Sequence, residues 1–229
     1  MYVFAFLYCL VLCLSAVGCF GGERVQAYKQ IQHWMLGQYS NILQSSQDAK
    51  DKKPTAAEGG HEHVTCIIEK HPEAEDTLVA QFRFGADINT PPFRYRHYVF
   101  SPAKSSPHTT TRMKLYKPSA KSMEKLRQVG FRGDLYMPSL IDCEELLGCD
   151  IQWSLQRPFL DLQPSFYLGK LINGLCKLPS QNDPNEIITV KDELKLWSNR
   201  LWINDQVYSS SGKLIIGNSV GIPYKFDKQ

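Results

Sequence analysis

The first clear periodicity along the chain is helical. Over residues 25–44, apolar residues such as Tyr28, Ile31 and Met35 recur at the spacing of an amphipathic helix, with lysine and glutamine between them. Gly37 lies inside this stretch and weakens it, because glycine is a poor helix former. The pattern predicts one N-terminal helix over these residues.

A polar stretch, residues 45–62, follows this helix. It begins SSQDAKDKKPTAAEGG, shows no periodicity, and contains a proline and a pair of glycines. This composition is typical of loops, so a mobile polar surface loop is predicted here.

Beyond this loop the hydrophobic pattern has a period of two, the period of β-strands. Four segments are predicted as successive strands: HVTCIIEK, TLVAQFRF, FRYRHYVF and TRMKLYK. Alternation divides the third segment into two faces. One face carries Phe93, Tyr95, His97 and Val99, and the other carries Arg94, Arg96, Tyr98 and Phe100.

Two short helices are predicted next. PSAKSMEKLRQVG is closed by Gly130, and PSLIDCEELLG has Ser139 as its N-cap and Gly148 just past its end. Strand-like segments then resume, separated by turn clusters: CDIQWSLQ, SFYLGKLI, IITVKDELKLW, RLWINDQVYSS, GKLIIG and IPYKF.

The predicted fold class is mainly β. Many short strands with few helices indicate an antiparallel meander that closes on itself into a β-barrel, since closure removes exposed strand edges. A barrel of about eight to ten strands has room inside for side chains and one small ligand. At 229 residues, without a repeat or a linker, the chain is predicted to form one barrel domain.

The charge of the chain argues against one class of partner. The net charge of +3 and the pI near 8.4 are mild. Lysine and arginine form no dense cluster, so no nucleic-acid-binding surface is predicted.

Residues 1–19 are predicted to be a signal peptide, and residues 20–229 the barrel domain. The run YVFAFLYCLVLCL is uncharged and apolar, and small residues precede Cys19. An uncleaved membrane anchor is the alternative, because the apolar run just reaches the length that spans a bilayer. Cleavage, either before or after Cys19, predicts a protein of the secretory pathway that is not membrane-bound.

Four cysteines lie beyond Cys19, and in an oxidising compartment this number favours two disulfides. Cys149 and Cys176 flank two strands predicted to form a hairpin, whose outer ends lie close together. A Cys149–Cys176 disulfide is therefore predicted, and a Cys66–Cys143 disulfide follows by elimination. Four buried thiols, or a zinc site at these wide spacings, are the alternatives.

The chain contains no motif for a catalytic nucleophile, a phosphate loop or a zinc protease. The HEH sequence at residues 61–63 has metal-ligating residue types, but it lies in the polar loop and is interpreted as solvated. No metal site is predicted.

Arg94 and Arg96 are informative polar residues because they share one face of a predicted strand. If that face is outward, both side chains are solvated. If it is inward, they require anionic partners, because a buried unpaired charge is very costly. The carboxylate of a ligand is one such partner, and its geometry matches the fork of a guanidinium.

Further candidates for a barrel cavity come from the other strands. The polar candidates are Gln81, Asp150 and Glu193. The aromatic candidates for flat stacking walls are Trp153, Trp202 and Tyr224, for which ordinary core packing is the alternative.

Several segments also occur in an order that resembles a known family. HWMLGQYSNILQ, AQFRFGADINTPPFRYRHYVF, LLGCDIQW and the closing stretch DELKLW to IPYKF follow one another over about residues 27 to 227. In this order they resemble the N-terminal helix, the Pro-Tyr-Arg-Gln-Arg segment, the Pro-Gly-Cys-Asp join and the C-terminal strands of the CpcT/CpeT family of phycobiliprotein chromophore lyases.

The resemblance implies a calycin-like (lipocalin-like) antiparallel barrel, often dimeric, that binds an open-chain tetrapyrrole (bilin). Members attach this bilin, for example phycocyanobilin, to a cysteine of a phycobiliprotein beta subunit, and the bilin is substrate rather than cofactor. In this chain Arg94 and Arg96 would bind the propionates. Asp150 or Glu193 would bind ring N–H groups and donate a proton.

The chain departs from the family pattern at Leu147, Phe93 and Tyr95, which replace a proline, a tyrosine and a glutamine. It also adds the secretory segment. These departures favour a secreted homologue. The function that the resemblance implies is a chromophore lyase, and a secreted lipocalin-like protein that binds a tetrapyrrole or another flat apolar ligand without catalysis is the alternative. In an alga with a secondary plastid, the secretory route would lead to the plastid.

Overall fold

A computed structural model describes residues 27–103, 111–158, 164–180, 183 and 185–229. The predicted signal peptide, residues 1–19, lies outside these residues, so its prediction stays a prediction.

Thirteen strands occur in the described part of the chain. Their bounds are β1 Gly37–Ser40, β2 Val64–Lys70, β3 Thr77–Phe84, β4 Arg94–Pro102, β5 Thr111–Pro118, β6 Cys143–Glu145, β7 Ile151–Gln156, β8 Phe166–Leu171, β9 Cys176–Pro179, β10 Ile187–Leu196, β11 Arg200–Tyr208, β12 Leu214–Ile216 and β13 Tyr224–Lys228. The helical segments are α1 at residues 27–35, α2 Ile42–Lys50 and α3 Ala120–Gln128, with 3₁₀ turns at Ala56–Glu58 and Leu140–Asp142.

Ten of these strands form a closed antiparallel barrel, which confirms the predicted fold class. Their order around the ring is β11, β13, β1, β2, β3, β4, β5, β7, β8 and β10, and pairing of β10 with β11 closes it. The short strands β6, β9 and β12 pair with β5, β10 and β11 respectively.

The barrel interior is a core of inward-facing aliphatic and aromatic side chains. Trp153 on β7 is fully buried there, directly opposite Gly169 on β8. Gly169 leaves room for the indole, because a Cβ at this position would lie 3.0 Å from two indole carbons. The cross-strand pair therefore fixes the packing at the centre of the barrel.

Helix α1 closes one end of the barrel, called here the α1 end. Ile31 and Met35 have no accessible surface and belong to the barrel core. The Tyr167 hydroxyl at the start of β8 donates to Gln30 Oε1 at 2.6 Å, and the Tyr167 ring meets that of Trp34 edge-on at 5.4 Å. These contacts attach α1 to the ends of the strands.

The prediction of one helix over residues 25–44 is wrong in its second half. The helix has ended by residue 35, β1 follows at Gly37–Ser40, and α2 begins at Ile42. Gly37 has φ 135°, which a helix does not allow. Tertiary pairing of β1 with β2 and β13 then makes this short segment a strand.

Two other local predictions differ from the structure. Residues 45–50 of the predicted polar loop belong to α2. The predicted helix over residues 138–148 is instead a 3₁₀ turn followed by β6. β6 forms because the last residues of β5 present a free strand edge to it, and Gly148, with φ 79°, turns the chain into β7.

The structure confirms the predicted Cys149–Cys176 disulfide, with its Cα atoms 5.0 Å apart. A disulfide is compatible with an oxidising compartment. The predicted Cys66–Cys143 bond is wrong, because both residues are free thiols. Cys66 lies in the barrel core, whereas the Cys143 thiol contacts His97 on the outer face of β4.

Within the residues that the structure describes, no helix is both long enough and apolar enough to cross a membrane.

Replacement of Gly169 by valine should lower the free energy of unfolding by about 1–3 kcal/mol, because the added side chain overpacks the contact with Ile151 and Trp153. Urea denaturation measures this loss. Lys170→Val is the matched control, since Lys170 is exposed on the same strand, and its effect should stay within about 0.5 kcal/mol. Equal losses in the two variants would contradict the packing role of Gly169.

Candidate ligand-binding site in the barrel interior

The inward face of β4 carries two arginines. Tyr98 and Phe100 of this strand belong to the barrel core, whereas Tyr95 packs in a separate outer cluster beneath α3. Because side chains alternate along a strand, Arg94 and Arg96 share the inward face with Tyr98. The sequence prediction that both arginines lie on one face is confirmed, and that face is the interior.

Arg94 forms an ion pair with Asp205 of β11 across the barrel interior. Its guanidinium carbon also lies 5.7 Å from the centroid of the Phe82 ring. Burial by itself would lower the pKa of Arg94, but the charge and hydrogen bond of Asp205, together with the charges of Tyr98 and Asp192, raise it. The Arg94 side chain nevertheless keeps 24% of its accessible surface, so solvent reaches this inward-facing group.

Asp192 of β10 lies directly opposite Asp205 in the β10–β11 pairing. Burial, together with the neighbouring charge of Asp205, raises the pKa of Asp192 to about 8. The carboxyl of Asp192 is therefore mainly protonated at neutral pH. One oxygen of each aspartate, Asp192 Oδ1 and Asp205 Oδ1, is buried without a hydrogen-bond partner.

Arg96 differs from Arg94 because it has no acidic partner. Its Nη1 donates to the Tyr95 carbonyl at 3.0 Å, and no ion pair joins it to any carboxylate of the described residues. Burial, followed by repulsion from Arg94, lowers the pKa of Arg96 to about 10. Arg96 thus remains charged at neutral pH inside the barrel, where Asp205 attracts it without forming an ion pair with it.

Arg94, Arg96, Asp192 and Asp205 together form what we call the arginine–aspartate cluster. Two guanidinium groups face two carboxyl groups, and burial together with the charge of Asp205 raises the pKa of Asp192, so positive charge is in excess in the cluster near neutral pH. In a low-dielectric interior such a charge is costly unless an anion joins it. The cluster can therefore bind a carboxylate and can exchange hydrogen bonds with further polar groups.

Tyr224 lies beside this cluster, on the partly buried inner side of β13. Its hydroxyl donates to Glu62 Oε2 at 2.8 Å, and its ring meets His61 edge-on at 4.7 Å. His61 Nδ1 lies 2.7 Å from Asp48 Oδ2, and His61 Nε2 lies 3.0 Å from the Ile222 carbonyl. These contacts tie α2, the segment before β2 and the segment before β13 into one cover, called here the roof.

Four of the residues predicted from the sequence lie in the interior: Arg94, Arg96, Trp153 and Tyr224. Trp153 has no accessible surface, so core packing, the alternative given for it, describes it best. The structure brings only Arg94, Arg96 and Tyr224 together.

Gln81 and Trp202 lie outside the barrel, contrary to prediction. Gln81 is buried but sits on the outer face of β3, where it accepts a hydrogen bond from Arg83. Trp202 is on the outer face of β11, with its ring 5.1 Å from that of Trp197 and 4.9 Å from Lys225 Nζ.

The two predicted acidic residues also lie outside. Asp150 binds Arg112 on the outer side of the β5–β7 wall, with Asp150 Oδ2 2.6 Å from Arg112 Nε. Glu193 forms ion pairs with Lys170 at 3.1 Å and Lys195 at 3.6 Å. Neither carboxylate reaches the arginine–aspartate cluster, because each lies on the opposite side of its strand.

Sequence reasoning missed Asp192 and Asp205. Asp192 lies two residues before Leu194, and Asp205 lies two residues after Ile203. Each aspartate is therefore on the same face of its strand as that buried apolar residue. Period-two alternation along IITVKDELKLW and RLWINDQVYSS is the signal that places them on the inward face.

A second polar cluster lies outside the barrel, beneath α3. His71 Nε2 and His97 Nε2 both donate to the Pro138 carbonyl at 3.0 Å, and His97 Nδ1 lies 3.5 Å from Cys143 Sγ. Burial raises the pKa of the Cys143 thiol to about 12, which makes it a poor nucleophile. This cluster holds the segment after α3 against the sheet.

The described residues contain no group of three or more histidine, cysteine or acidic side chains that could hold a metal ion.

Comparison with solved structures places this fold beside the CRL protein of Arabidopsis. The two chains superpose with a TM-score of 0.62 at 15% sequence identity, over 90% of this chain and 99% of that one. This likeness concerns the fold alone. No family model matches the sequence, and no curated protein matches it.

Replacement of Asp192 by asparagine should change the pH dependence of stability. The pKa of Asp192 is raised on folding from 3.8 to about 8, so the folded state binds the extra proton between these values. The stabilisation that this proton provides is complete below the pKa of the unfolded state, and it is lost as the pH rises through the pKa of the folded state. The free energy of unfolding should therefore fall more steeply from about pH 5 to pH 9 in the wild type than in Asp192→Asn.

Thermal unfolding at several pH values measures this difference. Glu193→Gln is the matched control, since Glu193 neighbours Asp192 but lies on the outer face, and it should keep the wild-type profile. A wild-type profile in Asp192→Asn would show that Asp192 is ionised in the folded protein.

Proposed function

We propose that the barrel binds an open-chain tetrapyrrole in its interior. The observation that carries this proposal is Arg96, an inward-facing guanidinium without a carboxylate partner among the described residues. A propionate of the ligand supplies the missing negative charge and matches the two-pronged geometry of the guanidinium.

Ring nitrogens distinguish a tetrapyrrole from a simple fatty acid. A bilin presents pyrrole N–H donors and an unprotonated ring nitrogen next to its propionates. Asp205 Oδ1 lacks a hydrogen-bond partner and can accept an N–H, and the neutral carboxyl of Asp192 can donate to a ring nitrogen. The arginine–aspartate cluster thus offers partners for the propionates and for the ring nitrogens of a bilin.

Aromatic rings near the cluster offer faces on which a flat apolar ligand can stack. Aromatic side chains lie next to the cluster: the rings of Phe82 and Phe226 are 6.3 Å apart, and those of Tyr224 and Phe226 are stacked at 6.1 Å. Barrels of about eight strands hold one small ligand, and width grows with strand number. A ten-stranded ring is consistent with a ligand of this size.

The resemblance of the ordered motifs to the CpcT/CpeT family supports the choice of ligand. The side chains at the positions that depart from the family pattern point away from the cluster. Phe93 stacks on Phe84 at the protein surface, Tyr95 packs beneath α3, and Leu147 is exposed. The departures therefore leave the interior charges unchanged.

Arg96→Ala should weaken binding of phycocyanobilin at least about tenfold, because a hydrogen-bonded charge pair contributes roughly 1.5–3 kcal/mol. Absorbance titration measures the dissociation constant. Arg96→Lys keeps the charge but loses the fork, so it should bind with intermediate affinity. Without ligand, Arg96→Ala should be at least as stable as the wild type, because a costly buried charge is removed.

Arg127→Ala is the matched control, since Arg127 is exposed on α3, and it should bind like the wild type. The proposal fails if the wild type binds no bilin, or if Arg96→Ala binds as tightly as Arg127→Ala.

A chromophore lyase is the second candidate function. The observation that favours it is the neutral carboxyl of Asp192 inside the barrel. In the lyase reaction the acceptor thiolate adds to the ethylidene group of the bilin, and the ring system takes up a proton. Asp192 would donate that proton, and the barrel would orient the reacting carbon.

Asp192→Asn should then retain bilin binding but transfer phycocyanobilin to the cysteine of an apo-phycobiliprotein beta subunit about 10²-fold more slowly. Covalent transfer is measured by bilin fluorescence of the denatured, separated beta subunit. Glu193→Gln is again the control and should transfer at the wild-type rate. Binding without transfer in the wild type identifies a binding protein without catalysis.

A further inference from the structure

The wall of the barrel is complete at the α1 end and split at the other end. Near α1, β5 pairs with β7, β7 with β8, and β8 with β10. Farther along, β5 pairs with β6 instead and β10 pairs with β9. β6 and β9 do not pair with each other, so two strand edges face one another without the hydrogen bonds of a sheet.

The split begins where β7 and β8 diverge. Their last register pair is Ile151 with Leu171, followed by one hydrogen bond from Ile172 N to the Asp150 carbonyl at 3.0 Å. Beyond it, a turn interrupts each strand before it continues in the same direction, with Cys149 N donating to the Leu146 carbonyl at 3.1 Å on one side and Gly174 N to the Leu171 carbonyl at 3.0 Å on the other. The Cys149–Cys176 disulfide joins the two strands at this point.

Two other parts of the barrel are covered by residues that the structure describes. Helix α1 closes one end, and the roof ties α2 to the segments before β2 and β13. The roof lies over β13, β1 and β2, whereas the split begins between β7 and β8. β7 is the fifth strand from β1 in the ring of ten. The split is therefore on the side of the barrel opposite the roof.

Leucine side chains lie along the split and can contact the apolar part of a ligand. Leu147 and Leu175 are exposed at its two margins, with 73% and 37% of their surface accessible. Leu115 and Leu178 are partly buried just inside, against the barrel core. Arg96 lies on β4, the strand next to β5, so a ligand passing these leucines meets its guanidinium, which has no carboxylate in an ion pair among the described residues.

We propose that the split between β6 and β9 is the portal through which the ligand enters the barrel, and that the Cys149–Cys176 disulfide limits how far it opens. This inference rests on the proposed binding function. The disulfide holds the ends of β7 and β8 together, so the strands cannot separate toward the α1 end. Without it, the portal deepens and ligand exchange becomes faster.

Acidic side chains at the portal margins test the route. Leu147→Glu/Leu175→Glu should lower the association rate constant of phycocyanobilin at least about threefold at low salt, because like charge repels the propionates at the entrance. High salt should abolish the effect. The control, Val220→Glu/Ile222→Glu, places the same charges on exposed residues of the roof and should leave the rate unchanged. Stopped-flow absorbance measures both.

The disulfide is tested by Cys149→Ala/Cys176→Ala, which should release bound phycocyanobilin at least about threefold faster, with Cys143→Ala as the thiol control. Should this variant not fold, the glutamate variants, which keep the disulfide, still decide the route.

The outcomes separate the two proposals. A wild type that binds no bilin overturns the binding function, and the portal with it. Binding with equal association rates in portal and roof variants, or slowing only in the roof variant, overturns the portal and leaves the binding function standing. Unchanged release from a folded double-alanine variant overturns the role of the disulfide.

Discussion

The antiparallel pairing of β10 with β11 is the constraint on which the rest of the structure depends. Its register runs from Thr189 opposite Tyr208 to Leu196 opposite Leu201, and it closes the ring of ten strands. The same register brings Asp192 and Asp205 face to face. Because directly opposed side chains in an antiparallel pair lie close together, closing the barrel also creates the coupled carboxyls of the interior.

The interior balances stability against binding. Arg94 and Asp205 satisfy each other across the barrel, but Arg96 has only a backbone carbonyl as its partner. A hydrophobic residue at position 96 would pack in the same place without the desolvation of a charge. Under the proposed binding function, a ligand carboxylate would supply the partner that Arg96 lacks, and the stability lost to the buried charge would be the cost of the site.

A barrel whose strands all pair around the ring is stable, but a ligand that enters through the wall needs an interruption in that pairing. A complete ring leaves no free edges, but it also leaves no lateral way in. Here the two demands are met in different halves of the wall: β7 and β8 complete the ring near α1, and β6 and β9 diverge beyond them. The disulfide at the point of divergence stabilises a place where sheet hydrogen bonds end. Residues 148–150, Gly-Cys-Asp, therefore stabilise the barrel wall. Cys149 forms the disulfide, and Asp150 binds Arg112 on the outer side of the wall.

The sequence by itself determined the long strands, the closed β-barrel, the shared face of Arg94 and Arg96, and the Cys149–Cys176 disulfide. These follow from local alternation and from the proximity of hairpin ends, which depend on neighbouring residues. Alternation along β10 also places Asp192 rather than Glu193 inside, a signal that was present but missed.

Only the tertiary structure decided the short strands and the face of Gln81. β1, β6 and β9 have three or four residues each, and such segments become strands because longer neighbours offer them hydrogen bonds. β3 is buried on both faces, since α3 and its following segment cover the outside, so its alternation does not show which face is inward. The candidate site depends on both levels of structure. Local alternation places Arg94 and Arg96 on one face of β4, and closure of the sheet brings Asp192 and Asp205 next to each other in the interior.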